Sequence, residues 1–599
     1  MSTGLTDLPL EIRQQIFGDY FKVPGGYVYD GKSDKLRNAD NTPIDLSFIY
    51  TCRSIANDCK HLPLAVNTLH FSTLYREDWR SLAGCFNLAA TYYNVLQQDL
   101  VLHLAPLITP NMHAELATEF PGFKAKLEAE REYHFHVWRT GDGPGLAGEN
   151  MQPAPCEFVQ EFYQQEVTII SEKSLFEYRG YGGVHRWIPW PSTDHDLDRP
   201  NHAYQRWDQR WDCAFSEIDR CMTRCLRLIA EQNPTEFSNR VLASLPHWVD
   251  KYPAEEFFNL RFDDWAIPPR PQVEYILNLL GIPEFVWKLP DMWQYGFEFH
   301  NAVGGNPSPG QFSEQYDHPT LDFTFRMREK TRFSAIAVAV RFLNLLPSHQ
   351  RTQIRTLNLH EDLPSVNRPA LHGHGLVPLL QENPLLQVQR HVSIVDCIMR
   401  PCNDVLDVDE LFTTGGRNRC SIDDEEFTRE LSTWLLDSLV VADSGISAEW
   451  FSLILDSGPY TDHCTEAFDK IVHEKIALHH AWNECLESGL LTDLSVEQVR
   501  EISRRYHIEE GLEDAIMQLV HRTSSVLRCD FSPGLPRDPQ RIVDGTKAHP
   551  HGAWDYWSYF YWQDPDEEPP CLPGHLKDRE AVALLADIQS QEEYLQSPR

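Results

Sequence analysis

The chain has 599 residues, of which 42% are hydrophobic and 24% are charged, a composition typical of folded globular proteins and unlike that of disordered ones. Asp and Glu number 88 against 53 Lys and Arg, which gives a formal net charge of -35. Because a field of that sign repels phosphate backbones and anionic lipids, nucleic acids and membrane surfaces are excluded as expected partners.

The sequence carries no signal for export or for membrane insertion. The first residues lack a basic segment followed by an apolar run, and no stretch reaches the roughly 18 apolar residues that a spanning helix needs. The 14 cysteines are scattered along a long chain, which favours reduced thiols over a disulfide framework. We therefore expect an intracellular protein, in the cytoplasm, the nucleus or both.

A short amphipathic helix is predicted near the N-terminus, in the sequence LTDLPLEIRQQIF. Leu8, Ile12, Ile16 and Tyr20 recur at every fourth position, which is the spacing of one face of a helix. Pro9 falls in the first turn, where its missing N–H group leaves no hydrogen bond unmade. A Leu-Pro pair that opens such a helix is typical of a docking module.

A second helix and a strand follow a polar, Gly-rich interval at residues 23–43. The buried face of this helix is predicted to contain Phe48, Cys52, Ile55, Ala56 and Cys59. Residues 67–73, NTLHFST, have the alternation of a strand. Residues 1–75 thus make up a first unit, and residues 76–138 continue as helices.

Two breaks rich in Gly and Pro, at residues 139–155 and 301–311, divide the next part of the chain. Between them we predict a helical, Trp-rich region at residues 156–300. Its most regular helix has a buried face made of Trp207, Trp211, Phe215, Ile218, Met222, Cys225 and Ile229.

Strand-like and helix-like segments alternate in a smaller α/β section at residues 312–400. We predict that segments 321–327, 354–359 and 386–394 lie side by side in one sheet, because helices long enough for a crossover separate them. Residues 354–362 also fit the spacing L-x-x-L-x-L-x-x-N, with Asp362 in place of Asn. An array of leucine-rich repeats and an ordinary small α/β layer both remain open.

Helices return at residues 420–530, where Ser495 and Gln498 form a capping box at the start of one of them. Residues 531–599 form an aromatic and acidic C-terminal region, with a last helix near residues 577–594. Its aromatic run at residues 553–570 is expected to cover a core face, with a ligand site as the alternative. The expected fold class is α+β and mainly α.

No motif identifies a reaction, a cofactor or a metal. Cys213, Cys221 and Cys225 share a helical face but lack a partner pair at zinc-finger spacing, which favours core cysteines. His473 and His480 do not form H-E-x-x-H and are expected on a solvated helix face. Neither a phosphate loop nor a G-x-S-x-G elbow is present. We expect no catalytic residues, no cofactor and no bound metal.

The stretches LPLEIRQQIF and FIYTCRSIANDC together resemble the F-box, in which Leu-Pro opens a first helix and a Cys-Arg pair lies in a later one. The resemblance covers about the first 75 residues and is closest to the divergent F-box-like heads of large proteins from filamentous fungi. It implies that the head binds a Skp-type adaptor of a cullin ubiquitin ligase while the rest of the chain captures a substrate protein.

The same resemblance implies which residues bind the adaptor. Leu8, Pro9, Ile12 and Ile16 would supply the apolar contact, while Cys52 and Arg53 would belong to the supporting helix. Two alternatives stay open. The helix could pack its apolar stripe onto the protein's own body, and the head could belong to a scaffold that has no ligase link. An enzyme whose site is assembled from distant residues is the third class.

Overall fold

The computed structural model describes most of the chain, in ranges separated by gaps. The described residues are 5, 8–128, 131, 215–282, 284–291, 294–297, 323–400, 422–447, 449–492, 494–549, 556–557, 570, 573 and 579–590. Several predictions fall outside them: the boundary at residues 139–155, Trp207, Trp211, Cys213, the break at residues 301–311, and most of the aromatic run at residues 553–570.

Eighteen α-helices lie in the described parts of the chain. In the first half they are Leu10–Phe21 (α1), Arg53–Cys59 (α2), Leu62–Val66 (α3), Arg80–Leu104 (α4), Pro110–Glu119 (α5), Phe215–Gln232 (α6), Pro234–Ser244 (α7) and Arg270–Leu279 (α8). In the second half they are Ala335–Leu345 (α9), Ser348–Arg351 (α10), Val377–Glu382 (α11), Asp424–Asp443 (α12), Thr461–Ala467 (α13), His473–Glu487 (α14), Val496–Arg505 (α15), Leu512–His521 (α16), Gln540–Ala548 (α17) and Arg579–Leu585 (α18).

Ten strands accompany them, so the predicted class, α+β and mainly α, is confirmed. The strands are Tyr27–Asp30 (β1), Lys35–Asn38 (β2), Thr68–Ser72 (β3), Gln294–Phe297 (β4), Phe323–Glu329 (β5), Thr356–Glu361 (β6), Gln387–Ser393 (β7), Phe451–Asp456 (β8), Leu527–Cys529 (β9) and Ala586–Ser590 (β10).

Seven strands form one sheet in the order β2-β1-β3-β6-β7-β8-β9. Apart from the antiparallel β1–β2 hairpin, all neighbours are parallel and follow one another in chain order. The leucine-rich-repeat interpretation of residues 312–400 stays a prediction.

The two faces of this sheet differ in burial. On β6, Leu357 and Leu359 are fully buried, whereas Asn358 and His360 on the other face are only half-buried. Helix α9 packs against β3 and β6 on the buried side. It begins where the Ser334 hydroxyl accepts a hydrogen bond from the Ala337 N–H group at 3.0 Å. This capping fixes the start of the most apolar helix of the core.

The prediction for segment 321–327 is wrong. Segments 354–359 and 386–394 do contain the parallel neighbours β6 and β7, but β5 lies in a separate three-stranded sheet, β10-β5-β4. The place beside β6 is taken by β3, which comes from the predicted head. Strand propensity is local, but the partner of a strand depends on residues almost 300 positions away, so the pairing could not be read from the segment itself.

Two other regions need correction. Residues 420–530 are not only helical, since β8 and β9 complete the edge of the large sheet there. The predicted last helix at residues 577–594 is α18 followed directly by strand β10. The capping box is confirmed, because the Ser495 N–H donates to Gln498 Oε1 at 2.8 Å and the Gln498 N–H donates to Ser495 Oγ at 3.2 Å.

Three apolar cores hold the described residues together. The largest spans both sides of the chain's central gaps and includes the buried sheet face with α4, α6, α9 and α12. The second core contains Trp482 and Tyr506. Tyr556 and Trp557, two members of the aromatic run, pack in it as well. These two residues do cover a core face, as predicted. The third core belongs to the N-terminal head.

Candidate docking surface

The N-terminal head has an apolar core of its own. Its members are Phe17, Phe21, Ile55, Cys59 and Leu62, which come from α1, α2 and α3 and are at most 9% exposed. The ring of Phe48, in the short 3-10 helix Ser47–Tyr50, lies 5.3 Å from the ring of Phe17 in an edge-to-face contact. Helix α1 therefore buries its phenylalanine face inside the head.

Polar contacts fix the orientation of α1. Arg13 Nη1 lies 2.7 Å from Asp58 Oδ2 and so ties α1 to α2. The Asn67 amide group donates to the carbonyl oxygen of Phe21, the last residue of α1, at 2.7 Å and to that of Pro63, in the first turn of α3, at 2.9 Å. Asn67 directly precedes β3, so the head is joined rigidly to the edge region of the large sheet.

A second face of α1, which we call the exposed stripe, consists of Ile12, Ile16 and Tyr20. Their exposed fractions are 45%, 40% and 47%. At 3.6 residues per turn the stripe lies about a third of a turn from the face of Phe17 and Phe21. Ile12 and Ile16 are therefore at the surface and outside the apolar core of the head.

The other predicted adaptor-binding residues lie near this stripe in sequence but differ in exposure. Pro9 is exposed and immediately precedes α1, while Leu8 is half-buried. Cys52 and Arg53 are both exposed where α2 begins, so Cys52 is not part of the buried helix face that we predicted. The buried members of α2 are Ile55 and Cys59. A break in the helix at residues 51–52 turns Cys52 outward.

The interval at residues 23–43 contains a hairpin, which sequence reasoning missed. Strands β1 and β2 pair through four residue pairs, and β1 also pairs with β3. The alternation in Tyr27-Val28-Tyr29 after two glycines is the signal that could have revealed it. The hairpin connects the first two helical segments of the head with the large sheet.

One serine–histidine pair has the contacts of a catalytic dyad but not the access. Ser334 Oγ lies 2.6 Å from His372 Nδ1, and His372 Nε2 lies 2.7 Å from the Asn367 carbonyl oxygen. The carbonyl can only accept, so Nε2 carries the proton and Nδ1 accepts from Ser334. Burial lowers the pKa of His372 to about 4. Both side chains are buried within the core, which leaves a substrate no route to them.

Three histidines form a row across the half-buried face of the large sheet. His70 Nδ1 lies 3.3 Å from His360 Nε2, and the rings of His360 and His391 are 5.1 Å apart. Burial, reinforced by the neighbouring imidazoles, lowers the pKa of His360 to about 4, so this residue is neutral at pH 7. Within the described ranges no group of three or more His, Cys, Asp or Glu could hold a metal ion.

A cleft of about 420 Å³ lies where α4 begins, beside α8 and α9. Its walls include Trp79 and Trp287, and each ring is covered by a guanidinium group, from Arg76 at 4.2 Å and from Arg270 at 4.4 Å. Arg76 and Arg270 are in turn paired with carboxylates. The two tryptophan rings are therefore already stacked on guanidinium groups, and these groups already have carboxylate partners. The lining of the cleft includes no cysteine or histidine.

Comparison with known proteins identifies no relative: no family model, curated protein or solved structure matches the chain. None of the helices in the described part of the chain combines the length and apolarity needed to cross a membrane.

Proposed function

We propose that the protein is an interaction protein that docks through the exposed stripe of its N-terminal head. The partner that we propose is a Skp-type adaptor of a cullin ubiquitin ligase, and the remainder of the chain would capture the substrate protein. The protein would then act inside the cell as the substrate-recognition subunit of that ligase.

The observation that carries this proposal is the exposure of Ile12 and Ile16 on a helix that is already anchored elsewhere. Phe17 is fully buried, Arg13 is held by Asp58, and the ring of Tyr20 lies 4.9 Å from that of Phe48, so contacts other than those of Ile12 and Ile16 anchor α1. Apolar side chains grouped on one exposed helix face favour association with another protein. Pro9 at the helix start and the Cys52–Arg53 pair support the F-box resemblance.

A scaffold that uses the same stripe without any ligase remains the second candidate. The exposure of Tyr50 supports the scaffold and the ligase subunit equally. Its side chain is 80% exposed in the same head and is available to any apolar partner. The two candidates differ only in the identity of the partner. An enzymatic function has no support from the described residues, since the serine–histidine pair is enclosed in the core.

Affinity purification from the native cell distinguishes the candidates. The full chain carrying a tag is compared with its Ile12→Asp variant and with a Val249→Asp variant, whose replaced side chain is 48% exposed far from the head in sequence. The ligase function predicts that a Skp-type adaptor and a cullin are recovered with the wild type and with Val249→Asp but not with Ile12→Asp. Recovery of other proteins alone, with the same dependence on Ile12, supports the scaffold.

Recovery that is identical for all three baits contradicts both candidates. It would mean that the stripe takes no part in binding.

A further inference from the structure

The end of the described chain completes a sheet made by residues far away in sequence. Strand β10 pairs with β5 antiparallel through five residue pairs, from Ala586 opposite Glu329 to Ser590 opposite Phe325. The Lys330 N–H group extends the ladder by donating to the Leu585 carbonyl oxygen at 2.8 Å. Strand β10 is thus held in part by backbone hydrogen bonding, which any extended peptide could supply.

A cluster of cations surrounds one carboxylate of β10. Asp587 forms ion pairs with Arg80, with Arg328 Nε at 3.1 Å and with Lys330 Nζ at 3.5 Å. Glu77 contacts both Arg80 and Arg328, each at 3.2 Å. If β10 left, the three cations would lose the carboxylate that contacts all of them, while Glu77 would still contact Arg80 and Arg328. The site therefore attracts an acidic residue at the position of Asp587.

Electrostatics at Asp587 agrees with this geometry. Burial tends to raise the pKa of Asp587, but the hydrogen bond from Arg80 and the charges of Arg80, Lys330 and Arg328 lower it overall. Arg80 is fully buried, and its Nε and Nη1 atoms have no hydrogen-bond partner among the described residues. The Arg80 guanidinium therefore keeps hydrogen-bonding capacity that Asp587 and Glu77 do not use.

Apolar burial contributes little to holding this terminal segment. Ala586 is fully buried, but none of the side chains described between residues 579 and 590 belongs to the three apolar cores, and Leu584 is 53% exposed. Segments that lack apolar core contacts open at a lower free energy than core elements do. Salt also weakens the partly exposed pairs of Asp587 with Arg328 and Lys330, whose side chains are 22 to 27% exposed. Residues 579–590 are for these reasons the exchangeable part of the sheet.

We propose that the edge of β5 and the cluster of Arg80, Arg328 and Lys330 form a binding groove for an extended acidic peptide of a partner protein. In the free chain, residues 579–590 occupy this groove and block it. The partner peptide displaces them, pairs with β5 as an added strand and places a carboxylate where Asp587 lies. This groove does not involve the exposed stripe, so it stands or falls separately from adaptor docking.

The test uses the full chain and two labelled peptides. The first peptide has the sequence of residues 579–590, REAVALLADIQS, and the second has Asn in place of its Asp. Wild type is compared with Asp587→Lys, which repels the chain's own strand from the cations. The matched control is Glu382→Lys, because Glu382 also forms an ion pair, with Arg351, and its side chain has the same exposed fraction, 27%.

We expect the Asp587→Lys chain to bind the acidic peptide at least about tenfold more tightly than wild type or the control, and to bind the Asn peptide more weakly. Equal binding by all three chains overturns the proposal. So does binding by Asp587→Lys that is indifferent to the Asp of the peptide, since the cations would then play no part.

Hydrogen exchange on the wild type tests the groove without any substitution. Raising the salt from about 0.05 M to about 0.5 M should speed exchange at the β5 amides that face β10, while the β6 amides inside the large sheet stay protected. If exchange at β5 is as slow in high salt as in low salt, residues 579–590 are a permanent strand and the proposal is wrong.

Discussion

Replacing Arg390 should destabilise the protein far more than replacing a surface arginine. Arg390 is fully buried on β7 and its Nη2 donates to Glu361 Oε1 at 3.0 Å, while its guanidinium lies 4.4 Å from the ring centre of Trp434. Glu361 Oε2 in turn accepts from the Ala335 N–H group at 2.9 Å, where α9 begins. One ion pair thus joins two central strands to the first turn of the core helix and to α12.

The size of the effect follows from what Arg390→Met leaves behind. The Glu361 carboxylate would remain 1% exposed without its cation, and the carbonyl oxygens of Pro369 and Ala370 would lose their donor. Breaking a buried pair on one side typically costs about 3 to 5 kcal/mol. Adding Glu361→Gln removes the stranded charge and keeps an acceptor for Ala335, so the double variant should recover about 2 kcal/mol.

The assay is urea unfolding followed by circular dichroism, on the two single variants, the double variant and an Arg351→Met control. Arg351 also forms a two-point pair, with Glu382 at 2.9 and 3.0 Å, but both side chains are partly exposed. The control should cost about 1 kcal/mol or less. If Arg390→Met costs no more than the control, or if the double variant shows no coupling, the central pair does not hold the sheet as described.

Three further predictions concern stability and the cysteines. His372 is fully enclosed and its pKa is lowered to about 4, so below pH 6.5 the unfolded chain takes up a proton that the folded chain refuses until about pH 4. The free energy of unfolding should therefore fall by about 3 kcal/mol as the pH falls through this window. The His372→Gln variant should lack this part of the fall. If the free energy of unfolding of this variant depends on pH in the same way as that of wild type, the prediction is wrong. Gly26→Ala should cost about 2 kcal/mol or more, because Gly26 has a φ of +70° and an added Cβ would lie 2.3 Å from the Thr68 carbonyl oxygen; a midpoint equal to that of wild type would show that β1 can move away from β3. Cys221 and Cys225 are buried and not joined in a disulfide, so elemental analysis should find no stoichiometric zinc and thiol titration no disulfide between them; one zinc per chain that is lost in the Cys221→Ser/Cys225→Ser variant would refute this.

Elements with a strong local pattern could be predicted from the sequence. Helix α1 and strands β3, β6 and β7 lie within a few residues of the predicted segments, because periodicity depends on neighbours along the chain. The exposed stripe could be predicted only in part. The spacing of Ile12 and Ile16 indicates that they share a helix face, but it does not show whether that face is buried, because burial depends on which residues pack against it. The adjacent face of Phe17 and Phe21, which has the same spacing, is the one that forms the core.

Strand pairing and buried charge could not be predicted in this way. Strand β8 has a run of apolar residues that a helix could also contain, and it lies in a region dominated by helices. His473 and His480 were expected on a solvated helix face; His480 is 46% exposed, but His473 is buried together with its neighbours Glu474 and Lys475. Their partners come from distant segments: the Pro533 carbonyl oxygen accepts from His473, Arg541 pairs with Glu474, and Asp424 pairs with Lys475.

The most direct test of the central claim measures adaptor binding and folding on the same variants. Purified full-length wild type, Ile12→Asp and Val249→Asp are titrated with a purified Skp-type adaptor by calorimetry, and their thermal unfolding is recorded. Ile12 is already 45% exposed, so Asp there should lose only about 1 kcal/mol of burial, partly offset by its favourable position near the positive end of α1. The claim predicts that Ile12→Asp binds at least about 30-fold more weakly with a nearly unchanged thermal midpoint, while Val249→Asp binds like wild type. Wild type that does not bind the adaptor, or an Ile12→Asp variant that binds it equally well, would contradict the claim.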